Sequence, residues 1–311
     1  MTAGTSAPTV VAVVSAELFA EFFSPDDAAR LEAVAARLGG TFVRVDRLAD
    51  AVLDEARVVV TSWGVGPFDH AVLATLPKLE LIAHTGATIK PFATDALFDR
   101  GVRVTQAGAG MARSVAEVSL TFTLALLHRV PEMHDALRTG DGWWDAEAVG
   151  AQHEILGAPI AVIGASRTGR AYLDLLRALG AEPLLVDPTL DAAEASSLGA
   201  ELVALDEALR RAQIVAVHAP TLPETHHLIG ARELALMPDG AGLVNTARSW
   251  LVDEAALLAE LRRGRLSAAI DVFDEEPLST ESPFRSAPRV LLTPHRAAGT
   301  REGRLRQGRI V

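Results

Sequence analysis

The 311-residue chain contains no cysteine, which excludes disulfide bonds, thiolate nucleophiles and cysteine-based zinc or iron–sulfur sites. Lysine is nearly absent as well, since Lys78 and Lys90 are its only two occurrences and arginine supplies the remaining positive charge. Acidic residues outnumber basic ones by 40 to 29, and the formal net charge of −11 disfavours attraction to nucleic acid or anionic lipid. The sequence therefore predicts no nucleic-acid partner.

The chain also lacks long uninterrupted apolar runs. An apolar stretch at Val10–Val14 has no lysine or arginine before it, and Glu17 closes it too early for a secretion signal. The richest apolar helix, over residues 115–127, carries Glu117 and falls short of the roughly 20 apolar residues that a membrane helix needs. We therefore expect a cytoplasmic protein with no membrane partner.

Short β-branched or apolar runs alternate with helical stretches, which is the pattern of βαβ units and a parallel sheet. A long apolar helix from about Arg113 to His128 separates two series of such units. The first series predicts strands at 10–14, 41–45, 58–61, 79–83 and 102–105. The second predicts strands at 160–163, 183–186, 214–218, 242–245, 268–272 and 290–293. The predicted fold class is therefore α/β, with two doubly wound parallel-sheet domains.

A glycine-containing turn joins the first strand of the second series to a helix. Gly164 and Gly169 bracket this turn, and Ser166 stands where the usual dinucleotide pattern has its second glycine. In such a site the first glycine permits a tight turn, the helix N-terminus offers N–H groups to the pyrophosphate, and the last glycine lets helix and strand pack closely. The alternative is an ordinary turn between a strand and a helix.

Asp187 favours the dinucleotide interpretation of this turn. It ends the next strand, 18 residues after Gly169, about where an acid takes the adenosine ribose hydroxyls in NAD-binding folds. Its negative charge would repel a ribose 2′-phosphate, and no arginine follows it in Pro188–Leu190. The sequence therefore predicts NAD as the cofactor in preference to NADP.

Three chemically active side chains, Arg248, Glu276 and His295, follow later strands of the second series, at the sheet edge where ligands bind in such folds. A guanidinium can hold the carboxylate of a 2-oxo acid. An imidazole can donate a proton to the forming alkoxide, and a neighbouring carboxylate stabilises the imidazolium. Each residue alone also fits a helix cap, a loop acid or a surface histidine, but together they predict a catalytic site. No metal site is predicted.

The motifs in order resemble the D-isomer-specific 2-hydroxyacid dehydrogenase family over nearly the whole chain. The matching segments read IGASRTGR at 163–170, HAPTLPET continuing to LALM at 218–237, and VNTARSWLVDEAAL at 244–257. Asp271–Phe273 and Glu276–Leu278 extend the match. The resemblance implies a Rossmann NAD-binding domain, residues 104–292, inserted in a flavodoxin-like substrate domain made of residues 1–103 and 293–311. It also implies a homodimer and a small anionic substrate.

The resemblance also implies roles for individual residues. Arg248 would bind the substrate carboxylate, Glu276 would pair with the catalytic histidine, and His295 would be the general acid and base. Asp271 would contact the nicotinamide carboxamide. The full set of implied cofactor-binding residues is Gly164, Ser166, Arg167, Thr168, Gly169, Asp187, His218, Ala219, Pro220, Thr225, Thr246, Ala247, Arg248, Asp271 and His295.

The implied substrate loop lies in the first domain. Its residues are Gly86, Ala87 and Thr88, whose backbone N–H groups would hold the substrate carboxylate together with Arg248. Lys90 follows and is expected at the start of the next helix, where its ammonium would suit a substrate with a second anionic group. The alternative for Lys90 is an ordinary exposed residue.

Some positions depart from the family pattern: Ser249 follows Arg248, Arg296 follows His295, and only 16 residues follow His295, so the closing helix is expected to be short or missing. The first functional hypothesis is an NAD-dependent oxidoreductase that acts on a small, D-specific 2-oxo or 2-hydroxy acid. One alternative is a phosphite- or phosphonate-type dehydrogenase of the same fold. The other is an NAD-sensing regulatory protein without turnover, against which the intact Arg, Glu and His argue.

Overall fold

The computed structural model describes residues 7–50, 53–139 and 142–311. The chain forms two compact units, and we call Met1–Met111 with Gly299–Val311 unit 1 and Ala112–Ala298 unit 2. Each unit contains one parallel sheet with helices on its faces.

In chain order the strands are β1 (Pro8–Val13), β2 (Thr41–Val45), β3 (Val58–Thr61), β4 (Leu81–His84), β5 (Arg103–Gln106), β6 (Pro159–Ile163), β7 (Glu182–Val186), β8 (Glu201–Leu202), β9 (Ile214–Val217), β10 (Gly242–Asn245), β11 (Ser267–Ile270) and β12 (Val290–Leu292). The α-helices are α1 (Ala16–Phe22), α2 (Pro25–Arg37), α3 (His70–Ala74), α4 (Asp95–Asp99), α5 (Ala112–Leu127), α6 (Val130–Thr139), α7 (Trp143–Glu147), α8 (Arg167–Ala178), α9 (Ala192–Ser197), α10 (Leu205–Arg211), α11 (Ala231–Leu236), α12 (Glu254–Arg262) and α13 (Arg301–Ile310).

Unit 1 has the strand order β2-β1-β3-β4-β5, with every pair parallel. Alternate residues of its central strands are buried on opposite faces, as Val59 and Val60 of β3 are. A sheet covered on both faces requires nearly continuous apolar strands, which is why these strands are readable in the sequence. The closing helix, expected to be short or missing, is present as the ten-residue α13. It packs closely on α1, so that Gly308 has no space for a Cβ beside the Phe22 carbonyl.

Unit 2 has the strand order β12-β11-β10-β9-β6-β7-β8, again all parallel. The inner strand β6 is buried from Ile160 to Ile163, with Ile160 and Val162 on one face and Ala161 and Ile163 on the other. The chain leaves β6 toward β7 on one side and later returns to β9 on the other. This reversal opens a crevice at the carboxyl ends of β6 and β9, the place where ligands bind in doubly wound sheets.

The apolar helix α5 begins directly after a short turn of 3₁₀-helix, and the two together are longer than the sequence analysis allowed. Gly108–Leu127 spans 20 residues with a mean hydropathy of 1.2, so by length and composition alone it could cross a membrane, contrary to our expectation. However, 56% of this stretch is buried inside the protein. Helix α5 packs against α8 and the strands β9, β10 and β11, as a core helix does.

Two histidines are buried inside the units and held neutral. His84, in unit 1, is 2% exposed, and its Nδ1 lies 2.9 Å from Thr61 Oγ1. His218, in unit 2, is 3% exposed, its ring packs against Tyr172, and neither ring nitrogen bonds to any residue that the structure describes. Burial lowers the pKa of each imidazole from 6.5 to about 4. The unfolded chain therefore binds more protons between pH 6.5 and 4, and the free energy of unfolding falls as the pH drops through this window.

We expect His218→Phe to reduce this acid sensitivity, because phenylalanine fills the same space beside Tyr172 and leaves no ring nitrogen to protonate. Between pH 7 and pH 5 the variant should lose about 2 kcal/mol less unfolding free energy than the unchanged protein, measured by urea denaturation. His134→Gln serves as the control, since it removes one exposed imidazole of the same unit without altering the contact between His218 and Tyr172. An identical pH dependence in His218→Phe would contradict the assignment of a buried neutral ring.

Candidate active site

The turn between β6 and α8 requires glycine at two positions. Gly164 has φ of +100°, and a Cβ there would lie 2.7 Å from the Ala219 backbone. A Cβ on Gly169 would overlap the Gly164 carbonyl oxygen. Side chains are therefore excluded by the backbone itself, and the turn lies directly against the end of β9.

Ser166 is the N-cap of α8, and its Oγ accepts the Gly169 N–H at 3.2 Å. The following N–H groups, of Arg167 and Thr168, belong to the first turn of a helix and have no acceptor within it. They lie at the positive end of the helix dipole, which favours an anion. The missing second glycine is thus replaced by a helix cap, and the turn fits the pyrophosphate of a dinucleotide.

Asp187, at the end of β7, reaches back to this turn. Its Oδ2 accepts the Ala165 N–H at 2.7 Å, and its Oδ1 accepts the backbone N–H and the hydroxyl of Thr189 at 2.9 and 2.6 Å. Partial burial alone would raise the pKa of the Asp187 carboxyl, but the hydrogen bonds from Thr189 and Ala165 and the charge of Arg170 lower it overall. The group is therefore a carboxylate at neutral pH, as our preference for NAD requires.

The segment after β9 contributes mainly backbone. The His218 ring lies in the interior against Tyr172. The main chain of His218 and Ala219 lies against Gly164, and the His218 Cβ lies beside Gly169. Thr225 holds the following loop closed, since its hydroxyl donates to the Pro220 carbonyl at 2.8 Å and accepts from the Leu222 N–H at 2.9 Å. These residues shape the crevice at the ends of β6 and β9.

Arg248 is held by its backbone, and its side chain is exposed. The side chain of Asn245 accepts the Ala247 N–H at 3.1 Å and donates to the Arg248 carbonyl at 2.9 Å. Thr246 is turned inward, with its hydroxyl 2.7 Å from that of Ser119. The Arg248 guanidinium donates to the Ala247 carbonyl at 2.6 Å and makes no hydrogen bond with His295 or Glu276.

Asp271 follows β11 and is 1% exposed. Its Oδ1 accepts the Thr293 hydroxyl at 2.5 Å and the Arg296 N–H at 2.9 Å, and its Oδ2 accepts the Ala297 N–H at 2.9 Å. The donors come from both sides of His295 in the chain. The carboxylate that we expected at the nicotinamide carboxamide therefore also anchors the loop that carries His295.

His295 and Glu276, which the sequence predicts as an acid–base pair, lie in contact. His295 Nδ1 lies 2.7 Å from Glu276 Oε2, and Glu276 Oε1 accepts the Phe273 N–H at 3.0 Å. The pair is partly open to solvent, with 43% and 36% of the two side chains exposed. Since Nδ1 faces the carboxylate, Nε2 is the nitrogen that can exchange a proton with a ligand.

A second carboxyl lies behind this pair. Glu254 Oε1 accepts the Asp274 N–H at 2.8 Å. Burial raises the pKa of the Glu254 carboxyl, and the negative charges of Asp274 and Glu276 add to this effect, outweighing that hydrogen bond.

A cavity of about 790 Å³ opens beside the pair, entirely within unit 2. Its walls are mostly apolar, and its polar groups are few, which is typical of small-molecule sites. The residues that line it are Phe273, Glu276, Pro277, Leu278, Arg285, Leu292, Thr293, Pro294 and His295.

The expected substrate loop follows β4 in unit 1. Gly86 is buried against two aromatic side chains, since a Cβ there would lie 2.5 Å from His84 Nε2 and 3.1 Å from Trp63 Nε1. Ala87 and Thr88 are half-buried. Lys90 is exposed, but its expected position at a helix start is wrong: it lies in a turn, and α4 begins five residues later at Asp95. The N-cap of α4 is Thr94, so the helix starts beyond Lys90.

The structure thus brings together three groups in unit 2: the glycine turn with Asp187, the Asn245–Arg248 segment, and the Asp271 anchor with the acid–base pair. Asn245 and Phe273, for which no role was expected, orient Arg248 and Glu276. Asn245 carried a signal, since an amide at the end of a buried strand commonly bonds to the backbone two or three residues on. The Phe273 contribution is a backbone N–H and leaves no signal in the sequence.

We expect Asp271→Asn to lower the free energy of unfolding by about 2–4 kcal/mol, because the charged acceptor of three donors is lost and an amide NH₂ faces a backbone N–H. Urea denaturation followed by tryptophan fluorescence would measure it. The matched control is Asp274→Asn, an exposed carboxylate on the same loop, which should change stability by less than about 0.5 kcal/mol. Equal stability of the two variants would show that Asp271 does not anchor the loop.

Comparison with known proteins agrees with this geometry. The model of the family "D-isomer specific 2-hydroxyacid dehydrogenase, NAD binding domain" matches residues 120–297. D-3-phosphoglycerate dehydrogenase of Mycobacterium tuberculosis is 37% identical over 264 residues, covering 85% of this chain and 49% of that protein. Glyoxylate reductase of Aeropyrum pernix is 33% identical over 245 residues, covering 76% and 72%. The crystal structure of a phosphoglycerate oxidoreductase from Rhizobium etli superposes with a TM-score of 0.75 at 26% identity, covering 97% and 92%.

The chain spans about half the length of the D-3-phosphoglycerate dehydrogenases that it matches. The family match itself covers more than half of this chain and lies wholly within unit 2. It includes the glycine turn, Asp187, Asp271 and the pair of His295 with Glu276. The chain therefore belongs to the D-isomer-specific 2-hydroxyacid dehydrogenase family, and unit 2 contains the family's NAD-binding domain.

Proposed function

We propose that the protein is an NAD-dependent oxidoreductase that transfers hydride between nicotinamide and a small 2-oxo or 2-hydroxy acid with D specificity. The observation that carries this proposal is the contact of 2.7 Å between His295 Nδ1 and Glu276 Oε2. A protein that only sensed NAD would have no need of an acid–base pair facing an open cavity. The pair belongs to the NAD-binding domain itself. There the substrate carbonyl carbon would receive the hydride and the carbonyl oxygen would receive the proton.

The residues divide the chemical work. The Arg167 and Thr168 N–H groups would hold the pyrophosphate, and Asp187 the adenosine ribose. When bound, NADH supplies the hydride. Protonated His295 would donate from Nε2 to the oxygen that becomes the hydroxyl, while Glu276 orients the ring and stabilises its charge. Arg248 would hold the substrate carboxylate in a planar, bidentate contact after turning away from the Ala247 carbonyl.

The substrate would also contact unit 1 in this proposal. The backbone N–H groups of Gly86, Ala87 and Thr88 would share the carboxylate with Arg248, and Lys90 would face a second anionic group if the substrate has one. Support for the loop is local: Gly86 is fixed against His84 and Trp63, so its position is defined. A screen of 2-oxo acids for NADH oxidation would test the proposal and identify the substrate.

We also propose a cytoplasmic homodimer. Support for the dimer comes from helices α6 and α7, on which large apolar side chains are exposed: Val130 at 48%, Leu137 at 54%, Trp143 at 65% and Trp144 at 75%. Exposed apolar residues grouped in this way mark association surfaces. Light scattering at micromolar concentration would give the molar mass that decides it.

NADH should bind at least tenfold more tightly than NADPH, because the Asp187 carboxylate repels a 2′-phosphate and accepts the ribose hydroxyls. Fluorescence titration with both cofactors would measure the ratio. Asp187→Ser should bring the two affinities closer, mainly by weakening NADH binding. Tighter binding of NADPH to the unchanged protein would overturn the role of Asp187.

His295→Ala should lower kcat for the best 2-oxo acid by about 10²–10⁴-fold, the usual value of general acid–base help, and leave NADH affinity within about twofold. Arg248→Ala should act mainly on KM and kcat/KM. An exposed histidine of the same unit provides the control, since His134→Ala should retain full activity. Near-normal turnover by His295→Ala would refute the mechanism. Failure of every 2-oxo acid, with tight NADH binding intact, would favour the regulatory or phosphite-type alternatives.

A further inference from the structure

The cavity beside His295 and Glu276 contains a charged residue that the proposed mechanism leaves unused. Arg285 lies in a short 3₁₀ turn, Pro283–Ser286, and lines this cavity. Its guanidinium makes no hydrogen bond or ion pair with any residue that the structure describes. Most other arginines of unit 2 have such partners, for example Arg265, which bonds to Glu260 and to two backbone carbonyls.

The turn that carries Arg285 is well fixed. Phe284, the preceding residue, is 1% exposed and packs against Phe273 with ring centroids 6.0 Å apart. Because neighbouring residues point in different directions from the turn, burial of Phe284 places the Arg285 side chain outward, along the cavity. The core therefore sets the backbone position of Arg285, and its exposed side chain lines the cavity with a charge that is available to a ligand.

The cavity is larger and more apolar than a two-carbon acid requires. Leu278, Leu292 and Pro277 form its walls. Of the residues expected to hold the dinucleotide, His295 alone lines it, so the adenosine, pyrophosphate and ribose contacts leave this space unfilled. A volume of about 790 Å³ lies in the range of complete ligand pockets.

We propose that this cavity is the side-chain subsite of the substrate and that Arg285 binds an anionic group at the far end of that side chain. The inference rests on the proposed function and names its substrate class: 2-oxo dicarboxylic acids, with a short methylene chain between the two carboxylates. The methylene groups contact Leu278, Leu292 and Pro277, while the distal carboxylate receives the planar fork of the guanidinium. The 2-oxo group then lies at His295.

Two other cations compete for this role and must be separated from Arg285. Lys90 belongs to unit 1 and is exposed in a turn. Arg296 follows His295, and its backbone N–H bonds to Asp271, but its side chain does not line the cavity. The geometry favours Arg285 because it alone combines a free guanidinium with a wall of the cavity that contains the acid–base pair.

The test compares 2-oxoglutarate with 2-oxovalerate, which has the same five carbons but a methyl group in place of the distal carboxylate. The quantity measured is the ratio of their kcat/KM values with NADH. The unchanged protein should prefer 2-oxoglutarate, and Arg285→Gln should lower the ratio by about tenfold or more, since charge-assisted hydrogen bonds contribute at that level. Arg285→Lys should restore part of the ratio, because the charge remains while the planar fork is lost.

Arg262→Gln is the matched control, since it removes one exposed arginine of unit 2 from α12, away from the cavity. It should leave the ratio unchanged. A ratio that falls in Lys90→Gln or Arg296→Gln but stays constant in Arg285→Gln overturns the proposal. So does a preference of the unchanged protein for 2-oxovalerate.

A binding measurement keeps this inference separate from the proposed enzyme activity. Glutarate has both carboxylates but no 2-oxo group, and calorimetry on the NADH-saturated protein measures its affinity without turnover. If no 2-oxo acid is reduced, the proposed function fails. The affinity for glutarate still tests whether Arg285 binds a carboxylate in the cavity. Binding that Arg285→Gln weakens about tenfold supports the assignment, and binding that is absent or insensitive to Arg285 refutes it.

Discussion

The loop of unit 2 that carries His295 is held in place by one buried carboxylate, that of Asp271. Asp271 collects three donors from the segment on either side of His295, and in doing so ties the end of β11 to the loop that follows β12. A buried charge is costly unless each oxygen is bonded, and here both are. The same loop holds the His295 imidazole beside Glu276. Glu276 is itself oriented by the N–H of Phe273, which also follows β11. The acid–base geometry is therefore a consequence of how β11 and β12 are joined beyond the sheet.

The dinucleotide turn is governed by a different constraint, the exclusion of side chains. Gly164 and Gly169 leave no space for a Cβ because the turn contacts its own carbonyl and the end of β9. Ser166 is accepted because its hydroxyl bonds within the turn, as a helix cap. The helix cap joins residues only three apart in the sequence. The loop after β12, in contrast, relies on Asp271, which lies more than 20 residues earlier.

This difference explains how much could be predicted from the sequence. Strands such as β3 and β10 have the predicted limits, because strands buried on both faces are continuous apolar runs. The two-residue strand β8, with the exposed Glu201, has no such pattern and was missed. The pairing of Glu276 with His295 was predicted from residue types and order. The contacts of Asp271 with the loop around His295 were not predicted, since the donors are two backbone N–H groups and a hydroxyl more than 20 residues away. Lys90 was misplaced because the helix cap, Thr94, lies four residues later.

The backbone of His295 has φ of +52°, a left-handed conformation that glycine or asparagine adopts at lower cost. The position that needs an imidazole is thus one where the backbone alone would favour another residue by about 1 kcal/mol. Selection for thermal stability alone would favour glycine at 295 and remove the partner of Glu276. Backbone conformation and the contact with Glu276 therefore make opposing demands at this single residue.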